Sequence, residues 1–247
     1  MKIALCTLAY NEADYIGAHI KNWQGLVDEH LVLVSSKPWN GPGAPDDGTA
    51  DIARSMGARV MTGDWETEAQ QRNQGIAELY DYDYVIMLDP DEFITKVDQK
   101  TLFDFISQPY ERNWRTDKMV PAWPVQGMIT YWKTPDYILT PADKHHPTIV
   151  IDPKQIICLE HRQFSAHFAK VIPISIHHMS WAKTDAKVEE KIRSFSHADD
   201  IRKGWYKNVW LKWQPGDETE VRPYGNEKSK AVYTPAPQEI KDLIEKK

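Results

Sequence analysis

Three carboxylates crowd one short stretch of the chain: Asp89, Asp91 and Glu92, in the run Leu88-Asp89-Pro90-Asp91-Glu92. Like charges this close repel unless something positive lies between them. Carboxylate oxygens are the usual ligands of hard divalent cations, so the spacing points to a metal site. The competing reading is capping, because acids that follow a strand often cap the next helix. His177 and His178 close a second apolar run, residues 171–176. A neutral imidazole suits Mn2+ or Zn2+ better than Mg2+. His178 is the candidate third ligand, and His177, alternating to the opposite face, is the lesser one.

These groups need a scaffold that brings them to one edge. Residues 85–88 are apolar and few, which suits a strand buried on both faces of a sheet. Open α/β sheets bind ligands outside the carboxyl ends of such strands. Upstream, strands are expected at 2–8, 29–35 and 58–61, and helices at 12–25, 49–56 and 65–80. Gly25 and Gly57 fall where two of those helices should stop. Residues 37–47, rich in Pro, Gly and Asp, form a loop. The alternation predicts an α/β fold, a mostly parallel sheet with helices on both faces.

After Phe93 the rhythm changes to mixed strands and helices. A short helix is expected at 102–107, strands at 118–132, 148–158 and 168–177 between Pro-rich loops, and helices at 183–202 and 238–245. Lys183, Lys187 and Lys191 recur every fourth residue as one cationic stripe. A solvated helix face is the preferred reading of that stripe; contact with a diphosphate or an anionic acceptor is the other. Trp205, Val209 and Trp213 share the same spacing. Docking on the core is preferred there over a stacking surface for bases or sugars.

Composition narrows the class. A net charge of −6 argues against a dedicated nucleic-acid binder. The apolar runs are too short to span a membrane, so no transmembrane segment is expected. Met1 leads straight into an apolar strand without a small-residue cleavage site, so the start is not expected to be a signal peptide. Cys6 and Cys158 give neither a disulfide framework nor zinc spacing, which fits a reducing, cytoplasmic setting.

Five tags in order carry a resemblance. They are Leu8-Ala9-Tyr10-Asn11-Glu12, Asp47-Gly48-Thr49-Ala50-Asp51-Ile52-Ala53, Gln71-Arg72-Asn73-Gln74-Gly75, Asp89-Pro90-Asp91-Glu92, and His178-Met179-Ser180-Trp181 with Lys187 and Lys191 behind it. Across residues 1–195 the chain resembles the family-2 glycosyltransferases of the GT-A, Rossmann-like fold. Two features depart from that pattern. Ser35 and Ser36 stand where the family carries an acid that reads the nucleoside, with Asp46 or Asp47 as substitutes, and no "ED" motif for a catalytic base is present.

The resemblance implies one domain over 1–247. Residues 1–95 would be its nucleotide-sugar half, 96–203 its acceptor half and 204–247 an aromatic, basic and Pro-rich extension. It implies Mn2+ or Mg2+ held by Asp91, with Asp89 at the ribose or a metal-bound water and His178 completing the metal set. Asp91 and Glu92 would be the catalytic acids. Ala9, Tyr10, Asn11, Glu12, Asp47, Arg72 and Asp89 would contact the donor, expected to be a UDP-sugar. The implied function is transfer of a hexosyl group to a saccharide or glycoconjugate. A hydroxymethylated base of DNA is the alternative acceptor, and a non-catalytic carbohydrate-binding protein is the further alternative. A nucleotidyltransferase is disfavoured, since the turn at 8–11 lacks a glycine-rich phosphate loop. For the acceptor-side base, Asp136, Asp152, Glu160 and His161 stay open.

Overall fold

The computed structural model describes residues 1–108, 121–142, 145–166, 168–225 and 228–245. Its first half is a run of four parallel strands, β1 (Ile3–Ala9), β2 (Glu29–Ser35), β3 (Arg59–Gly63) and β4 (Tyr84–Met87), in the order β4-β1-β2-β3. The crossovers are α1 (Ile16–Trp23), α2 (Thr49–Ser55) and α3 (Glu68–Glu78). All seven residues of β1 are buried. Ile3 and Leu5 pack with Trp23 of α1, while Ala4, Cys6 and Leu8 pack with Ile76 beneath α3, so helices cover both faces. The approach of α3 is close: a Cβ on Gly75 would lie 2.4 Å from the Cys6 sulfur. Only glycine allows that contact.

The second half begins with β5 (Glu92–Phe93) and α4 (Lys96–Ile106). Next come β6 (Pro121–Trp132), β7 (Thr134–Thr140), β8 (Thr148–Ile151), β9 (Cys158–Glu160), β10 (Gln163–Phe164), β11 (Phe168–Ala169) and β12 (Ile172–Trp181). The chain ends with α5 (Asp185–Ser194), β13 (Lys230–Tyr233) and α6 (Gln238–Glu245). β8 pairs antiparallel with β4 and with β6, which joins the halves into one mixed sheet of eleven strands among the described residues. The fold is α/β with a parallel centre flanked by helices, consistent with a GT-A, Rossmann-like architecture. No helix among the described residues is long and apolar enough to cross a membrane.

Several elements differ from the periodicity reading. The helix expected from 12 begins at Ile16, because Tyr15 N and Ile16 N both donate to Glu12 O and close a turn first. α4 starts earlier than expected because Thr95 caps it, its hydroxyl accepting from Asp98 N at 3.1 Å. The strand expected at 148–158 breaks in two at the turn containing Pro153. Residues 134–140 are a strand rather than a loop. Pro135 is only its second residue, just past the tight β6–β7 connection, where a missing N–H is tolerated. The helix at 183–202 is confined to α5, and β13 was not expected. Residues 118–120 lie outside the described ones. Trp205, Trp210 and Trp213 are buried against Trp132, so these rings are core rather than a stacking surface.

Candidate active site

The carboxyl ends of β1 and β4 open into a cavity of about 510 Å³. Ala9, Tyr10, Asn11 and Glu12 reach it from the turn after β1, Asp89, Asp91 and Glu92 from the tip beyond β4, and His178 from β12. Strand pairing explains the last arrival, since β12 runs antiparallel to β5 and sets His178 opposite Glu92. His177 faces away, buried, with Nδ1 2.9 Å from the Tyr131 hydroxyl. Arg72 and Asp47 do not line the cavity; they stand behind its wall.

The three tip acids do not converge on one point. Asp89 is taken by guanidinium groups: Arg72 Nη2 lies 3.1 Å from its Oδ1 and Arg162 Nη2 2.8 Å from its Oδ2. Arg162 also grips Glu92 at 2.6 Å, and Arg72 grips Glu68 at 2.7 Å. Burial works against charge on Arg162, but the Asp89 and Glu92 carboxylates outweigh it and keep the guanidinium protonated. Each arginine keeps one buried nitrogen, Nη1, without a hydrogen-bond partner among the described residues.

Asp91 sits among ammonium groups instead. Its Oδ2 is 3.3 Å from Lys191 Nζ and 3.5 Å from Lys183 Nζ, while its Oδ1 is 3.5 Å from His178 Nε2. Burial alone would raise this carboxyl; Lys191, Lys183 and His178 instead hold it well below the usual carboxylate range. Lys183 also bonds Glu12 at 2.5 Å, tying the turn after β1 to the tip after β4. The lysine stripe is therefore not a solvated helix face. The Lys183 side chain is 4% exposed, and Lys187 and Lys191 both line the cavity.

The turn after β1 is braced from outside. Asn11 adopts a left-handed φ of 50° and donates from Nδ2 to Pro45 O and Glu190 Oε1. Asp47 accepts from Ala13 N at 3.1 Å and from Lys187 Nζ at 2.8 Å, and its other oxygen accepts from Thr49 N. Asp47 thus ties the first residue of α2 to the turn after β1. Tyr10 Oη accepts from Ala44 N, and Trp39, from the same 37–47 loop, reaches the cavity with Nε1 bonded to Gln71.

Of the four bases left open, only His161 lines the cavity. Asp136 is held by Lys241 and Asp152 by its own turn, while Glu160 is an exposed rim residue beside His161. Arg162 and Trp39 escaped the sequence reading. Arg162 belongs to no tag and enters only because the β9–β10 turn folds over α3. Trp39 lies in a loop without periodicity, although a lone Trp amid Pro and Gly was a usable signal.

A divalent cation fits this donor set in part. Asp91 Oδ1 and His178 Nε2 face each other across 3.5 Å on the cavity wall, and His178 Nδ1 is buried without a hydrogen-bond partner among the described residues. One carboxylate and one imidazole can hold one side of an ion whose other positions belong to substrate phosphates and water. Asp89 does not join them, its oxygens being occupied by Arg72 and Arg162. Among the described residues no three His, Cys, Asp or Glu side chains are grouped to hold a metal ion.

No protein-family model matches the chain, and no curated protein matches it. Among solved structures it is similar to glucosyl-3-phosphoglycerate synthase from Mycobacterium tuberculosis, in complex with Mn2+, uridine diphosphate and glucosyl-3-phosphoglycerate. Identity is 20% over 51% of this chain, with a TM-score of 0.37. The match spans 44% of that protein, less than half its length.

Proposed function

We propose that the chain is a glycosyltransferase moving a hexosyl group from a nucleoside-diphosphate sugar to a hydroxyl of a saccharide or glycoconjugate, with Mn2+ or Mg2+ held by Asp91 and His178. One observation carries this reading. The turn at 9–12, the acids at 89–92 and His178 meet in one cavity at the carboxyl ends of parallel strands, the place where α/β sheets bind nucleotides.

The fixed charges argue for the cation. On the lysine wall the four carboxylates of Glu12, Asp47, Asp91 and Glu190 offset the three ammonium groups of Lys183, Lys187 and Lys191, so a diphosphate meets no surplus of lysine charge there. When bound, the metal would supply Lewis-acid neutralisation of the charge that builds on the departing diphosphate. Lys191 and Lys183 stand beside Asp91 and add to that stabilisation. Tyr10 and Trp39 offer flat faces to the nucleobase, replacing the missing acid after β2. Arg72 and Arg162 hold Asp89 still, ready to accept from a sugar or ribose hydroxyl.

The test is a panel of nucleotide-sugars assayed for release of nucleoside diphosphate with Mn2+ and with chelator. The expected outcome is hydrolysis of one donor that stops on chelation. Glycan binding without any release would instead identify a non-catalytic carbohydrate-binding protein.

A further inference from the structure

We propose that His161 is the general base that takes the proton of the acceptor hydroxyl. This rests on the glycosyl-transfer reading above. In the step, the acceptor oxygen bonds to the anomeric carbon as the bond from that carbon to the diphosphate oxygen breaks. The diphosphate leaves with the electron pair, and the acceptor proton passes to His161 Nε2 and then to solvent.

The carboxylates of the cavity are poorly suited to the task. Six line it among the described residues: Glu12, Glu68, Asp89, Asp91, Glu92 and Glu190. Each lies within 4 Å of a lysine or arginine nitrogen. Their pairing holds Glu68 and Asp91 low. Burial instead pushes Glu12 and Glu92 up, but Lys183 bonds both Glu12 oxygens and the Glu92 side chain, gripped by Arg162, is only 1% exposed, so neither presents a free oxygen to an acceptor. That leaves imidazole. His178 is committed to Asp91, His145 is an exposed residue of the cavity lining, and the carboxylate that faces His197 Nδ1, Asp200, is 64% exposed and gives that ring no buried anchor.

His161 has the arrangement a base needs. Its Nδ1–H points at Glu68 Oε2, 3.3 Å away, and Glu68 is only 10% exposed and anchored by Arg72. That contact fixes the tautomer and leaves the lone pair on Nε2. Among the described residues Nε2 has one long contact, 3.7 Å, to the exposed Glu160, which a hydroxyl can replace. One ring face is packed on His197, with centroids 4.9 Å apart. The backbone at His161 is in the left-handed region, φ 46°, a costly conformation for a histidine and one found at functional turns. The next residue, Arg162, bonds Asp89 and Glu92, so the turn bearing the base is tied to the acidic tip. Glu68 raises the proton affinity of His161, with Glu160 acting in the same direction and Arg72 opposing. The acid limb of the pH profile should therefore lie above the usual histidine value of about 6.5.

The experiment uses the donor that the wild-type protein hydrolyses, with water as acceptor, and follows UDP binding by calorimetry. His161→Gln should lower the rate by about 10²–10⁴-fold and abolish the acid limb, with UDP affinity unchanged. Glu68→Gln should move the limb to lower pH. A wild-type rate and limb in His161→Gln overturns the proposal. So does parallel loss of rate and UDP binding, which marks a structural role. A wild-type protein that hydrolyses no donor overturns the glycosyl-transfer reading itself, an outcome visible before any variant is made.

Discussion

Asp89 and Asp91 stand two residues apart on one turn, yet their surroundings are opposite. Asp89 lies between two arginines, one of them, Arg72, with a side chain only 1% exposed. Asp91 lies between two lysines and a histidine, with Lys191 17% exposed and His178 18% exposed at the cavity surface. A guanidinium is a rigid planar fork that locks carboxylates in place, whereas an ammonium is a mobile point charge on a flexible stem. The arginine side is built to hold its geometry. The lysine side can yield Asp91 to an incoming ion.

That contrast can be broken by substitution. Arg72→Met removes the buried partner of Glu68 and Asp89 and should cost about 3–5 kcal/mol of stability in a urea melt. Lys191→Met leaves Asp91 paired with Lys183 and His178 and should cost less, about 1–3 kcal/mol. Equal losses would erase the distinction between the two sides.

A smaller effect concerns pH. His19 links Thr7 to the backbone oxygen of Glu92, and burial pushes its pKa down to about 4. Burial does the same to His177, also to about 4. Both are neutral in the fold and bind protons more readily when unfolded. Their contribution is therefore complete above pH 6.5 and is lost as pH falls from 6.5 toward 4, on the order of 1–3 kcal/mol each. Denaturant midpoints measured at pH 7, 5.5 and 4.5 should fall in that order. His177→Phe, which cannot titrate, should flatten the slope.

Much of the first half was legible because its strands are buried on both faces and its glycines mark helix ends. The run 85–88 announced β4, whereas the close helix-to-strand contact at Gly75 came only from the structure. The second half obeyed tertiary pairing rather than local pattern. β7 carries Pro135 yet is held between β6 and β13, and nothing local distinguishes it from a loop. At the site, carboxylates and His178 were visible because their types and spacing suggest chemistry. Their counter-ions were not: Arg162 is 73 residues from Asp89 in sequence and Lys191 is 100 residues from Asp91. Lys183 and Lys191 were noticed as a stripe, but only the packing of α5 shows that the stripe points inward.

The decisive measurement is Mn2+ binding followed by calorimetry in the presence of UDP, for the wild-type protein and for Asp91→Asn. Mn2+ and UDP should strengthen each other's binding in the wild type, and the variant should stay folded while losing this mutual effect. UDP binding indifferent to Mn2+ in the wild type, or coupling that survives in Asp91→Asn, would contradict it.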